Sequence, residues 1–248
     1  LKSTLSSLSA RPDVLRALTA RPFAHRGLHG PRVSENGMAA FAAAVAGQYG
    51  IECDVRLSRD GVPMVFHDAA LARMTGAAGA VGDHDAATID QFALPDGGCV
   101  PRLRDLLHLC GTDTPLLIEI KVDGRRVAPI CIAVAEALAR RPMTLAAVMS
   151  FNPMAVRWFA RHRADLVRGL VATEQKKRGW RGRVGRALAL WWANPDFIAC
   201  DIRDLPSSLS ARMRRRGLPV LTWTVRSDEE QERAALHADQ IVFERPHD

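Results

Sequence analysis

The stretch Ile51-Glu52-Cys53-Asp54-Val55-Arg56-Leu57-Ser58-Arg59-Asp60-Gly61-Val62-Pro63-Met64-Val65-Phe66-His67-Asp68 sets two apolar, β-like runs on either side of a turn. The runs are 51–55 and 64–67, and Ser58-Arg59-Asp60-Gly61 is the turn signal between them. A parallel crossover takes a dozen or more residues, so these two runs are expected to pair antiparallel as a hairpin. In that hairpin His67 falls back beside Cys53 and Asp54. Side chains two apart on a strand point the same way. Glu52 and Asp54 therefore share one face, and Cys53 takes the opposite, apolar one.

Outward from this hairpin, further β-like runs fall at 23–25, 116–121, 146–151, 166–172, 197–201, 219–225 and 241–243. Helical patterns fall between them at 36–49, 103–110, 127–140, 153–162, 207–215 and 227–237. Such alternation argues for βα units and a parallel sheet. With 64–67 assigned to the hairpin, eight parallel strands remain, which predicts an α/β fold of the TIM (β/α)8 barrel kind for the 248 residues. One domain over 1–248 is expected. The second strand would carry the hairpin excursion and then a small irregular insertion at 69–100, rich in Gly, Ala and Asp. Residues 1–21 carry Leu5, Leu8, Leu15 and Leu18, interrupted by Pro12, and are expected to form short helices packed outside the core.

Lys and Arg number 34 against 27 Asp and Glu, a net charge of +7. That balance favours anionic partners such as phosphorylated small molecules, nucleic acid or an acidic membrane surface. No nucleic-acid-binding motif is visible, so a nucleic-acid partner is not expected. Of the five cysteines, Cys53, Cys131 and Cys200 lie in apolar runs, and there is no C-x-x-C pair among them and Cys99 and Cys110. They read as core thiols of a reducing compartment, so a cytoplasmic location is expected. No run approaches the roughly 20 apolar residues that span a bilayer. The start lacks an apolar signal core. It opens on Leu1 rather than on a methionine, which leaves room for a removed leader.

Four short segments carry the chemistry: His25-Arg26-Gly27, Glu52-Cys53-Asp54, His67-Asp68 and Glu119-Ile120-Lys121. All fall at strand ends, where such barrels place their active sites. Glu52, Asp54 and Glu119 crowded together repel one another, and a divalent cation with hard oxygen ligands, Mg²⁺ or Ca²⁺, relieves that. Three carboxylates, one divalent cation and the positive Arg26 and Lys121 leave a charge that one phosphodiester anion neutralises. Arg26 can fork two phosphate oxygens, and Lys121 acts as a point charge. His25 and His67 suit the base and acid that phosphodiester cleavage needs.

At these residues the sequence resembles the glycerophosphodiester phosphodiesterase family, which shares its barrel with phosphatidylinositol-specific phospholipases C. The matching segments are FAHRG at 23–27, SEN at 34–36, the quoted stretch at 51–68, LLIEIK at 116–121, MSFNP at 149–153 and LTWTV at 221–225, in family order. The resemblance implies metal ligands at Glu52, Asp54 and Glu119, acid and base roles for His25 and His67, and phosphate contacts from Arg26 and Lys121. It also implies that Glu35 supports the site near Arg26 and that Trp223 lines the substrate pocket. Further, it implies release of an alcohol and glycerol 3-phosphate, and it permits attack by the substrate's own glycerol hydroxyl through a cyclic phosphate. The chain departs from many relatives at Gly37, Arg226 and the ending Phe243-Glu244-Arg245-Pro246.

Several blander roles compete. Glu119 and Lys121 could form a plain internal ion pair, Asn36 could cap the following helix, and Trp223 could be barrel packing. A non-catalytic phosphate sensor would not need two histidines. A lysophospholipase D activity on membrane-derived lysophospholipids is the nearest alternative function. It would draw on the segment 176–192, where Lys176, Lys177, Arg178, Arg181, Arg183 and Arg186 cluster with Trp180, Trp191 and Trp192. That segment reads either as a peripheral contact with an anionic membrane or as a solvated basic helix with buried tryptophans. The sequence does not set the oligomeric state.

Overall fold

The computed structural model describes residues 2–141, 144–175 and 179–245, with side chains from residue 11 onward. Its elements run α1 (Lys2–Ala20), β1 (Phe23–His25), α2 (Met38–Ala46), β2 (Gly50–Leu57), β3 (Pro63–Val65), α3 (Ala72–Thr75), α4 (Ala86–Ile89), α5 (Leu103–Cys110), β4 (Leu116–Ile120) and α6 (Ala128–Ala139). They continue as β5 (Ala146–Ser150), α7 (Pro153–His162), β6 (Val167–Ala172), α8 (Trp180–Ala193), β7 (Phe197–Asp201), α9 (Ser208–Arg215), β8 (Val220–Val225), α10 (Asp228–His237) and β9 (Gln240–Phe243).

Among the described residues, β2, β4, β5, β6, β7, β8 and β9 pair in that order, and β1 closes the ring between β9 and β2. All of these pairings are parallel, so eight strands form the (β/α)8 barrel. The ninth, β3, lies antiparallel against β2, with Val65 opposite Val55. The turn between them closes as its residues suggest. Gly61 takes a positive φ of 83°, and Ser58 Oγ accepts from the Val62 amide at 2.9 Å.

Alternation along each strand divides the core in two. Ile51, Cys53, Val55, Leu116, Ile118 and Val148 face outward and meet Phe41, Leu106, Leu107, Val134 and Phe159 of the surrounding helices. Phe23, Leu117, Met149, Val171, Phe197, Leu221 and Val242 face inward and fill the lower barrel. Small residues make room for those rings. A Cβ on Gly169 would stand 2.3 Å from the Phe197 ring, and one on Gly50 would stand 2.7 Å from that of Phe23. Cys53, Cys110, Cys131 and Cys200 are buried thiols, and Cys99 is exposed.

Two expectations are corrected here. Residues 2–20 form one helix that continues through Pro12, not several short ones. Nor does it lie outside the core: Val14 and Leu18 pack with Phe23, Phe197 and Val242 and stop the lower end of the barrel. Arg11 pins it there through Asp196 at 2.7 Å. Leu5 and Leu8 lie outside the side chains described. The insertion at 69–100 is less irregular than its composition suggests. It holds α3, α4 and the bridges Ala70–Ala80 and Ala93–Cys99. Leu71, Val81, Ile89 and Leu94 bury themselves against Met64 and Phe66 as a small core of their own.

Candidate active site

The parallel register brings the chemistry to one end of the barrel. His25 pairs with Glu52, and Asp54 with Glu119, so four ionisable groups project inward from three adjacent strands. Glu52, Asp54 and Glu119 are all buried, and each offers an oxygen within 4.8 Å of the others. Burial first, and then the charges of Asp54 and Glu119, push the Glu52 carboxyl well above its usual range. Burial likewise lifts Glu119 to about 7, with the Asp54 charge adding and Lys121 opposing. Burial would raise Asp54 as well, but Lys121 and Arg26 win and hold it well below the ordinary range.

Lys121 follows β4 and lies 2.7 Å from Glu119 Oε1 and 3.1 Å from Asp54 Oδ1. Neither oxygen receives a well-aligned hydrogen bond, although both are shut off from water. Buried carboxylate oxygens with free lone pairs are costly unless a cation meets them. The three carboxylates thus fit a divalent cation by donor type, separation and unmet charge. A second group, His25, His29 and Glu244, also clusters within 4.8 Å. There, however, a hydrogen bond between His25 Nδ1 and Glu244 Oε1 already occupies the shared position.

Arg26 owes its place to a strained loop. Arg26 and Asn36 both hold positive φ, 54° and 55°, a region that costs a non-glycine residue free energy. Gly27 follows at φ 80°, where a Cβ would stand 2.8 Å from the Ala40 backbone. The loop returns the Arg26 guanidinium over Asp54, with Nε 3.0 Å from Oδ2, and Nη1 donates to Glu35 at 2.9 Å. The Arg26 amide donates to Glu52 at 3.1 Å. Asn36 does not cap α2, whose N-cap is Gly37. Its side chain donates to Asp54 at 2.9 Å and accepts from the Asp54 amide at 3.3 Å, fixing that carboxylate.

Both histidines are anchored through Nδ1. His25 Nδ1 bonds Glu244, which also accepts from Arg226 at 2.6 Å. His67 stands just past β3, and its Nδ1 bonds Asp68 at 2.6 Å. Arg73 of α3 then links Asp68 to Glu35, donating to both. Burial lowers both imidazoles from their ordinary value, more than the carboxylate partners raise them. Held so, each ring turns Nε2 away from its anchor, with that of His25 3.8 Å from Glu52.

A cavity of about 440 Å³ opens over these groups, lined by His25, Arg26, Glu52, His67, Glu119, Lys121 and Trp223. Phe151 stands edge-on to Trp223, ring centres 5.5 Å apart, and forms its aromatic wall. Trp223 is fixed by its Nε1, which donates to the Ala199 carbonyl at 3.2 Å. The structure brings the residues named from the sequence together here: His25, Arg26, Glu52, His67, Glu119, Lys121 and Trp223 line the cavity, and Glu35 and Asp54 stand behind it against Arg26.

The sequence from 25 to 247 matches the glycerophosphoryl diester phosphodiesterase family. The chain belongs to that family. Over 99 residues, 40% of the chain, it is 44% identical to a Mycobacterium tuberculosis relative carrying the glycerophosphodiester phosphodiesterase 2 name, and the match covers 37% of that protein. The matched segments span between 37% and 44% of the curated relatives' lengths. A solved Silicibacter pomeroyi protein assigned to the glycerophosphoryl diester phosphodiesterases superposes with a TM-score of 0.79 at 26% identity, covering 94% of each chain. An Oleispira antarctica phosphodiesterase, solved with the product sn-glycerol-3-phosphate, has a TM-score of 0.77 at 22% identity, over 92% of this chain and 94% of its own. At that identity the likeness is one of fold.

Five members of the site were not expected there: Glu244, Arg73, Arg226, Phe151 and Asn36 in its observed role. Glu244 was visible as an acidic residue directly after the last strand, beside the end of the first in a closed barrel. Arg73 lies in the insertion and carries no motif. The basic and aromatic segment 176–192 is described only in part. Lys176, Lys177 and Arg178 lie outside the described residues. Arg186 is tied to Glu174 at 3.1 Å. Trp180, Trp191 and Trp192 are exposed, which overturns the reading of buried tryptophans.

Proposed function

We propose that this chain hydrolyses glycerophosphodiesters to an alcohol and glycerol 3-phosphate, with one divalent cation, Mg²⁺ or Ca²⁺, held by Glu52, Asp54 and Glu119. The observation that carries this reading is the convergence of three buried carboxylates and two imidazoles, each anchored through Nδ1, on one cavity. Family membership supports it, as does the glycerol phosphate product bound by the Oleispira relative.

When bound, the cation would supply neutralising charge for the phosphoryl oxygens and would favour loss of the proton from the attacking hydroxyl. Arg26 and Lys121 hold the phosphodiester. Glu35 keeps the Arg26 guanidinium turned toward Asp54. Of the histidines, one takes the proton of the attacking hydroxyl at Nε2 and the other gives its proton to the leaving alkoxide. Nδ1 of each is committed to Glu244 or Asp68, so the exchanging nitrogen is fixed in both rings. The attacking hydroxyl is that of the substrate's own glycerol, which gives a cyclic phosphate that water then opens. Trp223 and Phe151 seat the glycerol and head-group carbons.

A lysophospholipase D activity is the second reading, favoured by the exposed aromatic edge that Phe151 adds to the cavity. Rates on glycerophosphocholine and lysophosphatidylcholine separate the two. No described helix is long and apolar enough to cross a membrane. The buried thiols Cys53, Cys131 and Cys200 support a cytoplasmic location, and the basic, tryptophan-bearing segment 176–192 supports a peripheral contact with an anionic membrane.

The test of site and chemistry is phosphorus NMR of glycerophosphocholine turnover by wild type, His25→Ala, His67→Ala and Glu52→Ala. The reading expects glycerol 3-phosphate from wild type, with a transient cyclic phosphate, and loss of turnover in all three variants. Full activity in either histidine variant would remove that residue from the mechanism.

A further inference from the structure

The helix α8 shows apolar residues on two opposite faces. Ala193 and Leu190 turn toward the barrel and pack with Val156, Leu170 and Ile198. On the other side Trp180, Val184, Leu188 and Trp191 are 70, 49, 58 and 79% exposed. Their spacing of four, four and three residues places them in one stripe within about 100° of arc. Core packing does not account for this stripe. Nor does the catalytic cavity, since none of the four lines it.

The edges of the stripe identify what it meets. At about 100° per residue, Arg183 falls on one margin and Arg181 on the other, and both are exposed. Arg181 lies against the Trp180 ring, 5.5 Å from its centre. Arg186 points elsewhere, to Glu174. Trp192, beyond the Arg181 margin, is held at the surface by Arg157, whose Nη1 donates to the Trp192 carbonyl at 2.8 Å. A second copy of the chain would bring arginines to the same margins, where they would repel. A phospholipid interface offers what both parts need: an acyl boundary for leucine and valine, a headgroup layer that tryptophan prefers, and lipid phosphates for arginine. The net charge of +7 adds attraction to an anionic surface.

We infer that the exposed face of α8 docks the protein on an anionic bilayer surface, with Trp180, Val184, Leu188 and Trp191 entering the headgroup region and Arg181 and Arg183 contacting lipid phosphates. This goes beyond the catalytic reading and is independent of it. Because α8 follows the carboxyl end of β6, its Trp180 end lies at the same end of the barrel as the cavity. Docking therefore keeps the cavity close to where lipid breakdown releases glycerophosphodiesters.

Flotation with vesicles of phosphatidylglycerol and phosphatidylcholine, against phosphatidylcholine alone, tests this. Wild type should float with the anionic vesicles. A Trp180→Ser, Leu188→Ser, Trp191→Ser variant should partition at least about tenfold more weakly. Arg181→Glu with Arg183→Glu should lose the preference for anionic lipid. Turnover of soluble glycerophosphocholine should be unchanged in both, which separates docking from catalysis and shows that the variants fold. If the triple variant fails to fold, quenching of tryptophan fluorescence in wild type by brominated lipid, reduced in Trp191→Ser, decides instead. Failure of wild type to float, equal flotation of the triple variant, or equal binding to both vesicle types would overturn the inference. So would a dimer that dissociates on mutation of the stripe without vesicle binding.

Discussion

His25 and Glu244 lie 219 positions apart in the chain, yet their side chains share a hydrogen bond across the seam where β1 meets β9. Closure of the barrel makes this contact. Glu244 in turn spans to Arg226 and lies 3.8 Å from His29. Burial would raise its carboxyl, but the hydrogen bonds from His25 and Arg226, with His29 close by, hold it far below the usual range. It is thus a fixed anion that sets the tautomer and angle of His25.

Glu244→Gln should leave the fold and substrate affinity intact and misdirect the imidazole. The expected loss is about 10- to 100-fold in kcat with KM nearly unchanged. Steady-state kinetics on glycerophosphocholine check it. A rise in KM at constant kcat would assign Glu244 to substrate binding instead.

The clamp from Arg73 to Asp68 and Glu35 gives a pH signature. The hydrogen bond from Arg73 first, and that from His67 after it, bring the Asp68 carboxyl down to about 2 against some burial. An unfolded aspartate titrates near 4. A lowered folded value means stability that is present above about 4 and lost as pH falls through about 2. The melting temperature of wild type should exceed that of Asp68→Asn by a constant margin down to about pH 5, then converge on it. The pair is partly exposed, so the margin is small, below about 1 kcal/mol. A margin independent of pH would contradict the clamp.

The carboxylate trio gives a metal signature. A ligand at a hundredfold its Kd adds about 2.7 kcal/mol, or about 5–10 °C in melting temperature at this size. Mg²⁺ or Ca²⁺ should produce such a shift in wild type and none in Glu119→Gln. In EDTA the variant should melt no lower than wild type, because it relieves repulsion within the trio. Differential scanning fluorimetry reads both.

The His-Arg-Gly corner is a backbone requirement. Gly27→Ala forces a Cβ to 2.8 Å from the Ala40 backbone at a positive φ. The expected cost is about 1–3 kcal/mol, with activity falling as Arg26 shifts. Urea unfolding with an unchanged m-value checks it.

The strands were legible because alternation and turns wrote them directly, and the hairpin at 58–61 even separated β3 from the ring. The site motifs were legible because neighbouring strand ends carry them two residues apart. What escaped depends on closure or on unusual faces. Glu244 reaches His25 only once β9 meets β1. Asn36 looked like a cap because it precedes a helix, and nothing local announced its bond to Asp54. The core role of α1 was hidden by Pro12, a residue that removes one backbone donor without ending this helix. As for α8, apolar residues on both faces blur the period by which amphipathic helices are read.

The most direct measurement of the central claim is glycerol 3-phosphate release from glycerophosphocholine and glycerophosphoethanolamine, first in EDTA and then with Mg²⁺ or Ca²⁺ restored. The account predicts no release in EDTA and full release with at least one of the two ions. Release that persists undiminished in EDTA, or none with either ion on either substrate, would contradict it.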